Sequence, residues 1–233
     1  MPVTSLGLEH DASVDRVSSG IPDLDQMLEG KGYFRGSSIL LTGTAGTGKS
    51  SFSAAFAAAA CERGERCVYF SFEESPAQIM RNMDSIGIHL RPFVENGTLV
   101  FHNRRTFSAG LEEHLLFLHE RTEEQDPHVI VMDPVSNFFT VGEFNEVKSM
   151  MTRLMDFFKV RGITSVFTSL TLPQSSIEMT STGISSIMDS WCVLRDCEAE
   201  NKNRRLFYVL KSRGMAHSRA IKEMRLTDRG IQL

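Results

Sequence analysis

Chemistry concentrates in one run of this sequence, Ile39-Leu40-Leu41-Thr42-Gly43-Thr44-Ala45-Gly46-Thr47-Gly48-Lys49-Ser50. An apolar strand feeds a glycine-rich turn, and an alanine-rich helix over Ser51–Ala60 follows. This is the strand–GxxxxGK[ST]–helix order that grips nucleoside triphosphates. Gly43, Gly46 and Gly48 let the backbone curl so that successive N–H groups converge on phosphate oxygens. The helix adds the positive end of its dipole. Lys49 supplies a point charge for the β- and γ-phosphates, and Ser50 a hydroxyl ligand for Mg²⁺.

A magnesium shell needs a second acidic group. Asp133 closes the apolar run His128-Val129-Ile130-Val131-Met132, where a Walker-B carboxylate belongs. Taken alone, beside Pro134, it reads as a turn carboxylate at a strand end. The dyad Glu73-Glu74 stands at the carboxyl end of another strand, the edge where ligands of open α/β sheets collect. A carboxylate there can take the proton of an attacking water or hydroxyl. Consecutive strand residues point to opposite faces, so the two cannot share one job. The plainer alternative is that both favour the dipole of the helix capped by Ser75.

Two further stretches carry reactive or charged groups. Ser175–Ser190 is crowded with serine and threonine and reads, on composition, as a flexible hydroxyl-rich loop. Arg204-Arg205 and Lys211-Ser212-Arg213-Gly214 lie on and after a strand. Such cations protect sheet edges from aggregation, or they reach a neighbour's γ-phosphate and stabilise transition-state charge.

The elements that must position these groups follow from periodicity. A short helix is expected over Asp23–Glu29, with Leu24, Met27 and Leu28 on one face. Strands are expected at Cys67–Phe72, Thr98–Phe101, Val129–Met132 and Thr164–Thr168. Between them fall a helix from the Ser75-Pro76-Ala77-Gln78 capping box to near Gly87, and helices over Leu111–Glu124 and Asn145–Val160. Leu111, Leu115 and Leu118 form the inner face of the second. Strands then dominate at Met188–Leu194, Leu206–Leu210 and Ala220–Leu226, with turns at Asn201–Asn203 and Asp228–Gly230. The pattern predicts an α/β fold: a mostly parallel central sheet flanked by helices, with antiparallel edge strands at the C-terminal end.

Composition bounds the rest. The chain has 233 residues, enough for one large core, and its 41% hydrophobic and 23% charged residues are ordinary for a globular protein. No apolar stretch approaches the ~18 residues that span a bilayer, so a cytoplasmic protein with no membrane partner is expected. Cys61, Cys67, Cys192 and Cys197 lack zinc spacing and read as buried or idle thiols. The net charge of −4 opposes nucleic-acid binding.

On its longer motifs the sequence resembles the KaiC family of RecA-like P-loop ATPases, and most of all the second, C-terminal of their tandem domains. The likeness runs from Arg16-Val17-Ser18-Ser19-Gly20-Ile21 and Leu24-Asp25 through Gly46–Ser50 and Phe72-Glu73-Glu74-Ser75. It continues at Lys211-Ser212-Arg213-Gly214 and Thr227-Asp228-Arg229-Gly230. Met1–Val17 shows little periodicity and by itself reads as a leading linker, whereas the resemblance implies a linker over residues 1–15 and one ATPase domain over 16–233. It implies ATP and Mg²⁺, held by Gly43, Thr44, Ala45, Gly46, Thr47, Gly48, Lys49, Ser50 and Ser51, with Glu73 also at the nucleotide. Ser50 and Asp133 would serve the metal, and Glu73 or Glu74 would activate the attacking hydroxyl. Arg205, Lys211, Arg213, His217 and Arg219 match positions that touch ATP from the adjoining subunit of a hexameric ring. Ser185 and Ser186 match a phosphorylated pair, so an ATPase and serine/threonine autokinase of circadian-clock type is implied.

Three positions depart from the family pattern. Ser186 replaces a threonine, Ile86 an aromatic residue near the base or ribose, and Thr140 an arginine. The family's first tandem domain and its activator-binding tail lie outside this sequence, so KaiA- or KaiB-like partners are expected only of a longer protein. Two other readings stand beside this one. A DNA-dependent RecA or helicase motor needs basic channel loops, yet no Lys or Arg occurs between Arg161 and Arg195, where Glu178 and Asp189 stand instead. An oligomerisation module held together by ATP without turnover is the third.

Overall fold

The computed structural model describes residues 12–171, 184–199 and 202–233. Among them, runs of β-branched and aromatic residues build β3 (Ser38–Gly43), β4 (Cys67–Ser71), β5 (Leu99–Asn103), β6 (Val129–Asp133) and β7 (Thr164–Leu170). These pair in parallel, and β3, β4 and β6 are buried along their whole length, as strands covered on both faces must be. The antiparallel extension is β8 (Ser190–Ala199), β9 (Lys202–Ser212), β10 (Lys222–Thr227) and β11 (Gly230–Gln232). The full order is β11-β10-β9-β8-β3-β7-β6-β4-β5, so the strand carrying the glycine-rich turn lies mid-sheet. β8 runs parallel to β3 and turns the sheet over to its antiparallel half.

Two cores result, one per face. On one, α2 (Lys49–Glu62) lies on Ile39, Leu41, Tyr69, Val131 and Val166. Its alanines allow close approach: a Cβ added at Gly20 would fall 2.6 Å from the Ala55 carbonyl oxygen. α1 (Pro22–Met27) and α3 (Pro76–Asp84) join this face through Leu24, Met27, Ile79 and Met83. On the other, α5 (Leu111–Gln125) and α6 (Phe144–Val160) bury Leu115, Leu118, Met151 and Phe158 against Leu40, Phe70, Ile130 and Phe167.

The expected elements are present with shifted ends. The capping box at Ser75 forms with both reciprocal bonds, but α3 stops at Asp84, before Gly87. Residues 16 and 17, read as part of a leading linker, pair as strand β1 (Arg16–Val17) with β2 (Tyr33–Phe34). A short α4 (Arg91–Glu95) and 3-10 turns at Thr106–Ser108, Val135–Thr140 and Ile184–Ser186 had no periodic signal. Asn203 lies inside β9 rather than in a turn. The hydroxyl-rich residues 175–183, and Asn201, lie outside the described residues. Among the described residues no helix is long and apolar enough to cross a membrane. Cys61, Cys67 and Cys192 are buried, whereas Cys197 is exposed.

Candidate nucleotide-binding site

The turn between β3 and α2 is held open by its own residues. Gly46 and Gly48 sit at φ +82° and +99°, conformations that a side chain resists. Gly43 is required for a different reason. A Cβ there would stand 2.6 Å from the Leu194 carbonyl oxygen and 2.7 Å from Thr47 Oγ1. Gly43→Ala is therefore expected to cost about 2–3 kcal/mol in urea unfolding, because the opposing atom is backbone and cannot swing away. Thr47 Oγ1 donates to the Thr44 carbonyl at 2.9 Å and closes the loop. Ala45 and Gly46 are open to solvent, and Thr44 and Ser50 are half-buried.

Helix α2 starts at Lys49 with Gly48 as N-cap, no capping side chain and no acidic residue in its first turn. Its leading N–H groups and dipole therefore remain available to an anion. Lys49 is only 7% exposed. Its ammonium donates to the Gly43 carbonyl at 2.9 Å and to the Thr44 carbonyl at 2.7 Å. Burial pushes its pKa down to about 8, against the pull of Asp133, then Glu73, then Asp196. A buried cation beside unpaired helix N–H groups fits a phosphate chain, whose charge would reverse that penalty.

Asp133 ends β6 and is nearly buried. Tyr69 Oη donates to its Oδ2 at 2.6 Å, and Thr168 Oγ1 donates to its Oδ1. The Tyr69 hydroxyl is pushed far above its ordinary range, first by burial and then by the Asp133 charge, so it remains a donor. This carboxylate is fixed at both oxygens. Among the described residues no group of three or more His, Cys, Asp or Glu could hold a metal unaided. A divalent ion at Ser50 and Asp133 thus fits only if other oxygens, such as those of phosphates, complete its shell.

The structure separates the two glutamates. Glu74 is held by Asn82 Nδ2 at 3.0 Å and lines a cavity of about 170 Å³ with Gln78, Asn103 and Arg105. Glu73 is exposed, shares that lining, and is one of the charges that Lys49 feels. Among the described residues no side chain holds it in the way Asn82 holds Glu74.

Lys49, Ser50, Asp133 and Glu73 all stand at the carboxyl edge of the parallel strands. The serine pair does not. Ile184 and Met188 are fully buried plugs, and half-buried Ser185 and exposed Ser186 lie between them ahead of β8. Asp189 N donates to the Ser38 carbonyl, which places this turn at the amino edge of β3. The six residues of β3 put that edge about 17 Å from the phosphate loop. Lys211 Nζ donates to the Ser185 carbonyl at 2.9 Å, and Arg213 Nη2 to the Ser186 carbonyl at 2.7 Å.

The remaining cations are scattered. Arg205 lies opposite Asp196 and Met224, near the loop edge. His217 and Arg219 flank Ser218, whose N–H bonds the Met27 carbonyl at the end of α1. Ile86 packs against the α2-side core, and Thr140 Oγ1 donates to the Asn137 carbonyl. Sequence reasoning missed Tyr69 and Thr168, the two residues that fix Asp133, because only the strand order puts them beside it.

A mid-sheet strand, a glycine loop, a buried lysine and a fixed strand-end aspartate define a RecA-like P-loop ATPase domain. Comparison with known proteins narrows the class. The family model described as "ATPase: KaiC" matches residues 17–233. The chain is 45% identical over 235 residues to "Circadian clock protein KaiC2" of Synechocystis, covering 100% of this chain and 41% of that protein. It is 35% identical over 233 residues to "Circadian clock oscillator protein KaiC" of Parathermosynechococcus lividus, covering 100% of this chain and 43% of that one. The chain belongs to the KaiC family of ATPases. It spans less than half the length of these relatives.

Proposed function

We propose that this chain hydrolyses ATP and transfers its γ-phosphoryl group to Ser185 or Ser186 of an adjoining copy within a ring. One observation carries the intermolecular part: the acceptor turn and the phosphate loop stand at opposite edges of one rigid sheet. A copy that presents its amino edge to a neighbour's carboxyl edge makes a head-to-tail contact, and such contacts close into a ring when the rotation between copies divides a full turn. Lys211 and Arg213 would arrive with the serines and add positive charge beside the transferring phosphoryl group.

The assigned roles follow from position. The loop amides and Lys49 hold the triphosphate, and Thr47 keeps the loop shaped for it. Ser50 and Asp133 would hold Mg²⁺, which neutralises charge on β- and γ-phosphate oxygens when bound. Tyr69 and Thr168 keep the Asp133 carboxylate aimed. Glu73 accepts the proton of the serine hydroxyl, or of water, as the new O–P bond forms and the bond to the ADP oxygen breaks.

The glutamates give a sharp test. Glu73→Gln is expected to slow hydrolysis by about 10²–10⁴-fold, the usual worth of a general base. Glu74→Gln, which leaves Asn82 an amide oxygen to bond, is expected to change it by less than about threefold. Equal losses in both would remove the assignment. Incubation with γ-labelled Mg-ATP followed by phosphosite mapping tests the transfer itself. Label is expected on Ser185 or Ser186, and ATP turnover with neither serine labelled would reduce the activity to hydrolysis.

A further inference from the structure

A second cavity, of about 390 Å³, opens at the amino edge of the sheet, away from the phosphate loop. Its size falls within the range of small-molecule pockets. Its walls are largely apolar: Ala12, Val14, the Phe34 ring, and the bare backbones of Gly36, Gly162 and Gly214. Arg16 caps the Phe34 ring, its guanidinium carbon 4.6 Å from the centroid. A Cβ placed on Gly162 would meet no atom of the described residues within 4 Å, so none of them fills that space. Glycine backbones facing an aromatic ring make a slot suited to a flat group.

The polar part of the lining is mostly positive. Arg35, Lys159 and Arg213 face a single carboxylate, Asp189. Glu65, outside the lining, holds Arg35 at 2.6 Å, and Asp189 holds Lys159 at 3.0 Å. Asp189 is also bound at 2.8 Å by both the Ser38 N–H and the Ser38 hydroxyl, so its charge is already spread over several donors. Among the described residues the Arg213 guanidinium donates to a neutral carbonyl, that of Ser186. The surplus charge is felt nearby: burial first, then the Arg213 charge, lowers the Lys211 ammonium below its ordinary range.

We infer that this cleft binds an aromatic anion, its ring stacked along Phe34 and its acidic group paired with Arg213 and Lys159. A neutral aromatic would make no charge-assisted bond to Arg213, and a small inorganic anion would leave the apolar walls wet. Because Arg213 also grips the acceptor turn, a bound anion would compete with the Ser186 carbonyl for it. That consequence rests on the transfer reading, whereas binding itself does not.

The probe is 8-anilinonaphthalene-1-sulfonate, titrated by fluorescence into the full chain with saturating Mg-ATP to occupy the phosphate loop. One saturable site is expected. Lys159→Gln and Val14→Glu should each weaken it about tenfold, the first by removing a charge-assisted bond and the second by adding a carboxylate at the lip. Val14 is 83% exposed, so its substitution leaves the fold intact. Lys159→Arg, which keeps the charge and the Asp189 pair, should bind within about twofold of wild type. Absence of saturable binding, or equal affinity in wild type and Val14→Glu, overturns the proposal. Neither readout requires phosphoryl transfer, so failure here is distinguishable from failure of the transfer reading.

Discussion

Replacing Lys49 by methionine is expected to stabilise the nucleotide-free chain at neutral pH while weakening Mg-ATP binding by about 100-fold. The two effects share one cause. Lys49 is a charge held out of water, and the drop of its pKa from 10.5 to about 8 corresponds to at most about 3 kcal/mol of destabilisation at pH 7. Methionine keeps the stem and removes the charge. The carbonyls it leaves are not orphaned, because Thr171 N–H also bonds Gly43 and Thr47 Oγ1 also bonds Thr44. A gain of about 1–3 kcal/mol should raise the melting temperature by several degrees for a chain of this size.

The pH dependence has a definite sign. Between about 8 and 10.5 the folded lysine has lost its proton while the unfolded one retains it. The unfolded state then binds more protons, so wild-type stability rises with pH across that window. The advantage of the methionine variant is full below pH 8 and closes towards 10.5. Melting curves at pH 7 and 10 check this, and unchanged Mg-ATP affinity in the variant would sink the loop as a nucleotide site.

The contrast between what the residues announced and what they concealed has a physical basis. The shape of the loop was legible because its glycines, lysine and serine are contiguous, and local geometry sets the turn they make. Asp133 was legible because a buried strand ending in a carboxylate is unusual. Its supports were not. Tyr69 lies 64 positions away and Thr168 lies 35, and each meets Asp133 only because β4, β6 and β7 are neighbours. Parallel strand order arises from how crossover helices pack, which no local pattern encodes. The same gap hid the placement of the turn that carries Ser185 and Ser186. Ser185 and Ser186 could be matched to a motif, yet nothing in their spacing told which edge of the sheet they occupy. Short elements such as α4, with a proline in its first turn and only five residues long, lack the turns needed to show periodicity.

That placement sets the last expected result. Chains carrying Glu73→Gln retain serine acceptors but lack the proposed base. Chains carrying Ser185→Ala with Ser186→Ala retain the base but lack acceptors. Each alone should take up essentially no label from γ-labelled Mg-ATP. Mixed in equal amounts and reassembled, they should recover about a quarter of the wild-type label, since a productive contact needs one chain of each kind in the correct order. All of it should sit on Ser185 or Ser186 of the Glu73→Gln chains, which peptide mass mapping distinguishes. Distance requires this: about 17 Å of rigid strand separates loop from turn within a chain, against the ~3 Å that an attacking oxygen must reach. No side-chain rotation spans that gap, and the β3–β7 and β3–β8 pairings on either side hold the strand straight. Full labelling of a lone wild-type subunit, shown to be monomeric under the assay conditions, would mean that the turn folds back onto its own loop. The head-to-tail ring would then lose its reason.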